Sequence, residues 1–125
     1  MNQHREYQIL MKKFKTFNET EITRIVTQTG TYYLVIEHED NQYQIKKGHI
    51  VLRRFENNGH GLQQANNWIL CMKESNELEN ENYELRAEIT EKLTTGERIK
   101  FIFAKLDENW NRLSYLRQQM YPLNY

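Results

Sequence analysis

The chain is poor in the residues that cross-link or interrupt a fold. Its 125 residues include one cysteine, one proline and five glycines, and its 17 basic and 17 acidic residues leave no net charge. A single cysteine cannot form an internal disulfide, which favours a reducing, cytoplasmic location. The absence of net charge removes the simplest argument for nucleic acid or an anionic membrane as partner, although a local basic face remains open.

The sequence also lacks a long apolar run. The longest, residues 68–72, is far too short to cross a membrane, and the N-terminal residues have no apolar core of a secretory signal. Aromatic residues, at 12%, are too frequent for a disordered chain. We therefore expect one soluble domain, 1–125, that is large enough to bury a core.

Residues 1–60 predict a short helix followed by an antiparallel sheet. Apolar residues recur at helical spacing over residues 7–17. The chain then becomes rich in Ile, Val, Thr and Tyr with polar turns between them, which predicts a four-stranded meander. The expected strands are 22–27, 32–37, 43–46 and 50–55. Asparagine and glycine at 57–61 mark the change from sheet to helix.

Residues 61–125 predict a helical hairpin, which we expect to be an oligomerisation module because its seam needs another helix. No glycine or proline occurs from 62 to 93, and Thr94 with Glu97 has the spacing of a capping box that starts a second helix. The short connection makes the two helices antiparallel neighbours. The predicted fold class is α+β: a short N-terminal helix, an antiparallel four-stranded meander and a long C-terminal antiparallel helical hairpin that resembles a coiled coil.

Apolar residues in both helices alternate at steps of three and four, the spacing of a coiled-coil seam. Two seam residues, Asn82 and Asn109, are polar, and a buried asparagine fixes register and helix number when it is paired. We expect the seam to join a second copy, giving a homodimer or higher oligomer. The predicted interface residues are Leu78, Asn82, Leu85, Ile89, Ile102, Leu106, Asn109, Leu113 and Leu116.

The first of these helices is strongly acidic between Lys73 and Lys92. Its glutamates are interpreted as a solvated surface, with docking on a basic protein groove as the alternative. They are Glu74, Glu77, Glu79, Glu81, Glu84, Glu88 and Glu91.

The densest positive region spans the end of the predicted sheet. It comprises Lys46, Lys47, His49, Arg53, Arg54 and His60, the candidate anion-binding residues. Because side chains alternate along a strand, only one of Arg53 and Arg54 should join a common patch. Nearby aromatic residues could stack on bases, and the loop before the helix could hold a phosphate. The alternative is a set of half-buried tyrosines beside a solvated, aggregation-resistant edge.

No combination of residues predicts catalysis, and we expect no metal and no cofactor. His49, His60 and Cys71 lack the paired spacing of a zinc site. Cys71 lies in the most apolar stretch, where burial should suppress its thiolate and make it an inert core residue. No serine sits in a glycine elbow.

The sequence therefore predicts a non-catalytic, homo-oligomeric binding protein. Such chains are common among phage and mobile-element accessory proteins, so the partner would be a host protein that it inhibits or a small anionic, nucleotide-like ligand. The first alternative is a nucleic-acid-binding protein, dimerised by the hairpin, whose Lys46, Lys47, Arg53 and Arg54 contact phosphates. An enzyme with a site at the subunit interface is the second alternative.

Overall fold

The computed structural model describes residues 18–91 and 95–121, which form four strands followed by two helices. The elements are β1 (Glu19–Thr27), β2 (Gly30–Glu37), β3 (Gln42–Lys47), β4 (Ile50–Glu56), α1 (Gly59–Thr90) and α2 (Gly96–Met120). The predicted α+β class, with its meander and helical hairpin, is confirmed. The predicted helix at 7–17 lies outside the described residues.

The chain divides into two compact units, Met1–Asn66 and Asn67–Tyr125. The first unit contains the sheet and the first turns of α1, and the second contains the rest of α1 and all of α2. The prediction that residues 1–125 form a single domain stays a prediction. Neither of the two described helices has the length and apolar character needed to cross a membrane.

The four strands pair antiparallel in sequence order. Leu34 lies opposite Ile45, and both side chains are fully buried, so they form the centre of the apolar face. Tyr32, Tyr43 and Phe55 follow the same alternation and are also buried. This face therefore provides the core of the first unit.

The strands are longer than the sequence predicted, by three residues at the start of β1. Glu19 and Thr20 extend that strand because they pair with Glu37 and Ile36. The turn between β3 and β4 has two residues, Gly48 and His49. Gly48 has a φ of +62°, a conformation that glycine adopts without strain and that tight hairpins require.

Helix α1 begins earlier than predicted because Asn58 caps it. The Asn58 side chain accepts a hydrogen bond from the Gly61 N–H at 2.7 Å, and its carbonyl accepts from the Leu62 N–H at 3.0 Å. A Cβ on Gly61 would lie 1.8 Å from the carbonyl oxygen of Glu56. Glycine at 61 therefore allows the first turn of α1 to approach the end of β4 closely.

Thr95, rather than the predicted Thr94, caps α2. It is extended, with φ −78° and ψ 165°, and its Oγ1 accepts a hydrogen bond from the Arg98 N–H at 3.3 Å. The predicted capping box was therefore wrong by one residue, because Arg98 occupies the position that Glu97 would need. Glu97 instead lies in the first turn, where a carboxylate is favourable beside the helix dipole.

Candidate functional site

The predicted helical seam is closed between α1 and α2 of the same chain. The Asn109 Nδ2 donates to Asn82 Oδ1 at 2.8 Å and to Glu81 Oε1 at 2.9 Å. Asn82 and Asn109 are both buried. Sliding either helix by one turn would leave these polar atoms buried without their partners, so the pair fixes the register of the hairpin.

The other predicted interface residues also follow this seam. Leu85, Ile102 and Leu116 are buried, while Leu78, Ile89, Leu106 and Leu113 are half-buried. At the end of the hairpin, the rings of Trp68 and Tyr121 meet edge to face with centroids 6.0 Å apart. The pairing of these residues with a second copy stays a prediction.

Three ion pairs join α1 to α2 along one edge of the hairpin. On each helix their members are seven residues apart, so they lie on one side. They are Glu74 with Arg112, Glu81 with Lys105, and Glu88 with Arg98. We call this surface the ion-paired edge.

Both arginines of the ion-paired edge hold their carboxylates through two hydrogen bonds. Arg98 donates to Glu88 from Nε at 2.7 Å and from Nη2 at 3.0 Å. Arg112 donates from Nε and Nη2 to the two oxygens of Glu74, the second at 2.9 Å. These forked bonds have a defined geometry, so they favour one antiparallel orientation of the helices.

The same hydrogen bonds shift the proton affinities of the groups that make them. The bond from Arg112 lowers the pKa of the Glu74 carboxyl, and it raises the pKa of the Arg112 guanidinium. The bond to Glu88 raises the pKa of Arg98 in the same way. Because these side chains are largely solvated, we expect the pairs to contribute more to orientation than to stability.

The ion-paired edge changes the interpretation of three of the seven glutamates. The other four are exposed, as a solvated surface requires, and the docking alternative stays a prediction: Glu77, Glu79, Glu84 and Glu91. Glu74, Glu81 and Glu88 are bound to α2 within the chain. The sequence did contain a signal for this edge, because Arg98, Lys105 and Arg112 repeat at the same heptad interval. The sequence interpretation missed it by considering the acidic helix alone.

The opposite edge of the hairpin carries apolar residues. Successive helical residues are rotated by about 100°, so Glu81 and Tyr83 lie on opposite sides of the seam residue Asn82. On α2, Trp110 is rotated by the same angle from the seam residue Asn109. In an antiparallel helix pair these rotations bring Tyr83 and Trp110 to the same edge.

Phe103 lies one heptad before Trp110 and therefore shares its side of α2. Tyr83, Phe103 and Trp110 are 69%, 58% and 64% exposed. The half-buried seam residues Leu106 and Leu113 border the two rings of α2. We call the surface formed by these five residues the apolar edge.

Aromatic residues on the ion-paired edge have a different environment. The Arg98 guanidinium lies 4.9 Å from the ring centre of Phe101, and the Arg112 guanidinium lies 5.0 Å from that of Tyr115. These contacts are cation–π interactions, which cover the faces of the rings. In the described part of the chain, no such cation covers the rings of the apolar edge.

The structure places five of the six candidate anion-binding residues at two depressions of the first unit, and Lys47 lines neither. Arg53, Arg54 and His60 line one depression of about 310 Å³ at the start of α1. Lys46 and His49 line the other, of about 320 Å³. The six residues therefore do not form one continuous basic face.

Three of the six candidate residues already have partners within the sheet unit. Lys46 Nζ binds the Glu19 carboxylate at 2.9 Å, and both side chains are largely buried. Lys47 Nζ lies 5.5 Å from the ring centre of Tyr32. The Arg53 guanidinium lies 5.4 Å from that of Phe55.

The aromatic residues that could have stacked on bases are covered. Tyr32, Tyr43 and Phe55 are buried, more deeply than the half-buried tyrosines that the sequence alternative expected. Tyr33 is half-buried, and the Arg24 guanidinium lies 5.1 Å from its ring centre. Stacking platforms for single-stranded nucleic acid need open ring faces.

The depression at the start of α1 brings Arg53 and Arg54 together, although strand alternation predicted that only one would join a patch. β4 is an edge strand, so side chains from both of its faces can border the same depression. Glu56 also lines it and offsets part of the positive charge.

Cys71 is half-buried instead of lying in the core. Burial is the main cause that raises the pKa of its thiol, and the nearby Glu74 carboxylate raises it further. Across residues 18–91 and 95–121, no three His, Cys, Asp or Glu side chains come together in a group that could hold a metal ion.

No family model, curated protein or solved structure matches this chain.

Proposed function

We propose that this chain is a non-catalytic, homo-oligomeric binding protein, in which the helical hairpin joins copies of the chain and the sheet unit contacts another molecule. The observation that carries the proposal is the surplus of apolar surface on the hairpin. Its seam is already occupied within one chain, yet large aromatic side chains remain exposed on both helices. On α2, Phe103 and Trp110 border Leu106 and Leu113, and an apolar surface of this kind is typical of interaction sites.

The energetics of helix packing support an assembly. A two-helix hairpin buries one narrow seam, whereas a four-helix bundle covers a second side of each helix. Burial of apolar surface is the main favourable term in such an association. The lack of net charge on the chain means that copies do not repel one another at long range.

A protein partner fits the sheet unit better than a nucleic acid does. Lys46 is neutralised by Glu19, and the rings of Tyr32 and Phe55 are buried. We place the protein in the cytoplasm, since its single cysteine suits a reducing compartment.

Equilibrium sedimentation of the full chain over a wide range of concentrations tests the proposal. We expect a mass that is a multiple of the 15.3 kDa chain, with dissociation on dilution. The mass of a single chain at every concentration would contradict the proposal.

A second candidate function is the binding of a small phosphate-bearing ligand by the first unit. It is favoured by Arg53, Arg54 and His60 lining one depression next to the backbone of the first turn of α1. A small anion fits this arrangement better than a nucleic-acid strand, because Lys46 and Lys47 lie elsewhere and have partners.

Titration with inorganic phosphate, followed by the amide signals of residues 53–64, tests this candidate. We expect saturable shifts that are lost in Arg54→Ala and kept in the control Lys47→Ala. Shifts that are the same in all three proteins would exclude a site in the depression. Shifts seen only with an oligonucleotide, and weakened steeply by salt, would instead support the nucleic-acid alternative.

A further inference from the structure

The surface that joins two copies follows from the contrast between the edges of the hairpin. We infer that a second copy of this chain docks on the apolar edge, with the ion-paired edge left facing outward. This inference rests on the proposed homo-oligomeric function and names the surface that it uses.

The ion-paired edge gains little from a second copy. Glu74, Glu81 and Glu88 are each bound to a base of α2, so covering them would remove water from charges that already have partners. Desolvating such pairs costs free energy that new contacts must first offset. Its rings, Phe101 and Tyr115, also lie under guanidinium groups.

Covering the apolar edge with a second copy is favourable because most of the area that it would bury is apolar. With exposures of 58% to 69%, Tyr83, Phe103 and Trp110 each present roughly 100–150 Å² to solvent. Two copies facing each other would cover about 700 Å² from these rings alone, more than half of the ~1,200 Å² at which specific interfaces begin. Leu106 and Leu113 extend the same surface and are only half-buried.

The charges beside the apolar edge suit a second copy better than a strongly charged partner. By helical spacing, Glu79 and Arg86 lie beside Tyr83 on α1, and Lys100, Asp107 and Arg117 lie beside the rings of α2. All five are exposed, and both signs occur on each helix, so the edge is not strongly charged. Two such borders can place acids opposite bases, whereas a partner of one charge sign would meet like charges on both helices.

The spacing of the two α2 rings is also self-complementary. Phe103 and Trp110 lie seven residues apart near the middle of α2. If two α2 helices pack antiparallel about a two-fold axis between these positions, Phe103 of each copy meets Trp110 of the other. Such an interface uses the same surface patch twice, as two-fold dimers do.

Equilibrium sedimentation of four proteins tests the inference: the wild-type chain, Phe103→Glu, Trp110→Glu and the matched control Phe101→Glu. Phe101 is 53% exposed and on the same helix, but it lies on the ion-paired edge. We expect the dissociation constant to rise by at least about thirtyfold in the two apolar-edge variants, the cost of losing an aromatic hot spot. The control should associate as the wild type does.

Circular dichroism and thermal unfolding of the dissociated variants should show that each chain keeps its helices, because the substituted side chains are exposed. If the wild type associates and Phe103→Glu and Trp110→Glu associate equally well, the apolar edge is not the interface. The homo-oligomeric proposal itself would still stand. Equal dissociation of Phe101→Glu would also overturn the choice of edge. A wild-type chain that is a single copy at all concentrations would overturn both.

Discussion

The two edges of the hairpin flank the same seam and follow the same helical repeat, yet the side chains on one edge are partnered and those on the other are exposed. On the ion-paired edge, Glu74, Glu81 and Glu88 find their partners on the neighbouring helix, and guanidinium groups cover the nearby rings. On the apolar edge, large rings stand in solvent. The seam and one edge are therefore enough to specify the hairpin, and the rings of the second edge stay exposed within the chain.

The seam and the ion-paired edge determine different features of the hairpin, the register of the helices and their orientation. The hydrogen bond between Asn82 and Asn109 is buried, so a shifted register would leave both side chains unpaired in an apolar environment. The ion pairs are exposed, so their strength depends on salt and pH. We therefore expect register to be set by the seam, and orientation to be reinforced by the edge.

The largest loss of stability should come from truncating a buried residue of the seam, because the seam holds both helices together. Leu116→Ala should lower the free energy of unfolding by about 2–5 kcal/mol, because Leu116 is fully buried and a cavity would remain. Urea unfolding measures this change. Leu70→Ala is the control, since Leu70 is exposed, and its effect should stay within about 0.5 kcal/mol. Equal effects of the two substitutions would mean that the seam is not the core of the hairpin.

The next effect concerns the asparagine pair that separates the two edges. Asn109→Ala should cost about 1–3 kcal/mol, because the Asn82 oxygen would stay buried without its donor. Asn82→Leu combined with Asn109→Leu should restore stability, since both polar groups are gone, and should relax register and helix number. Unfolding free energies and sedimentation of both variants check this prediction. A double variant as unstable as the single one would show that the pair does not act as a unit.

A smaller effect is the pH dependence of the free energy of unfolding, to which the ion-paired edge should contribute and the apolar edge should not. The pKa of Glu74 is lowered in the folded chain, so the stability from its ion pair is present at neutral pH, above the ordinary carboxyl pKa. That contribution is lost as the pH falls through the lowered pKa, when the carboxylate becomes protonated. Unfolding measured against pH should show a weaker acid dependence in Glu74→Gln than in the wild type. Phe103→Ala, on the apolar edge, should keep the wild-type dependence.

The smallest effect is on the thiol beside the ion-paired edge. Cys71 should react more slowly with a thiol reagent than a free cysteine does, because burial raises its pKa and the thiolate is the reacting form. Glu74→Gln should speed the reaction by a small factor, since the Glu74 carboxylate also raises that pKa. Reaction rates followed above neutral pH check both statements. Wild-type labelling as fast as that of the unfolded chain would mean that this segment of α1 is open.

Local patterns were sufficient for the elements of the fold. The steps of three and four through Leu85 and Leu116 predict helices with one apolar side, because side-chain direction in a helix follows from sequence spacing alone. The concentration of Ile, Val, Thr and Tyr between polar turns predicts the strands, because these residues favour extended backbone. The cap of α2 was misplaced by one residue, because Thr94 and Thr95 are chemically equivalent and only the backbone path distinguishes them.

The candidate site was predicted only in part. The sequence grouped Lys46, Lys47, Arg53 and Arg54 by their proximity along the chain. The structure keeps Arg53 and Arg54 at one depression but separates the two lysines from them, because Lys46 reaches Glu19 across the sheet and Lys47 lies over the Tyr32 ring. Pairing between strands distant in sequence leaves no local signal, so the loss of these cations from a common patch followed from the fold.

The sequence by itself determined which sides of the two helices are apolar and that each seam contains one asparagine. Only the tertiary structure decided that Asn82 and Asn109 meet within one chain, and that the heptad glutamates and bases lie on the same edge. Periodicity defines a surface on one helix, but the choice of what covers it depends on how the chain turns and on the register in which the helices pack. That register is a property of two elements together, since the buried hydrogen bond and the ion pairs form only when both are in place.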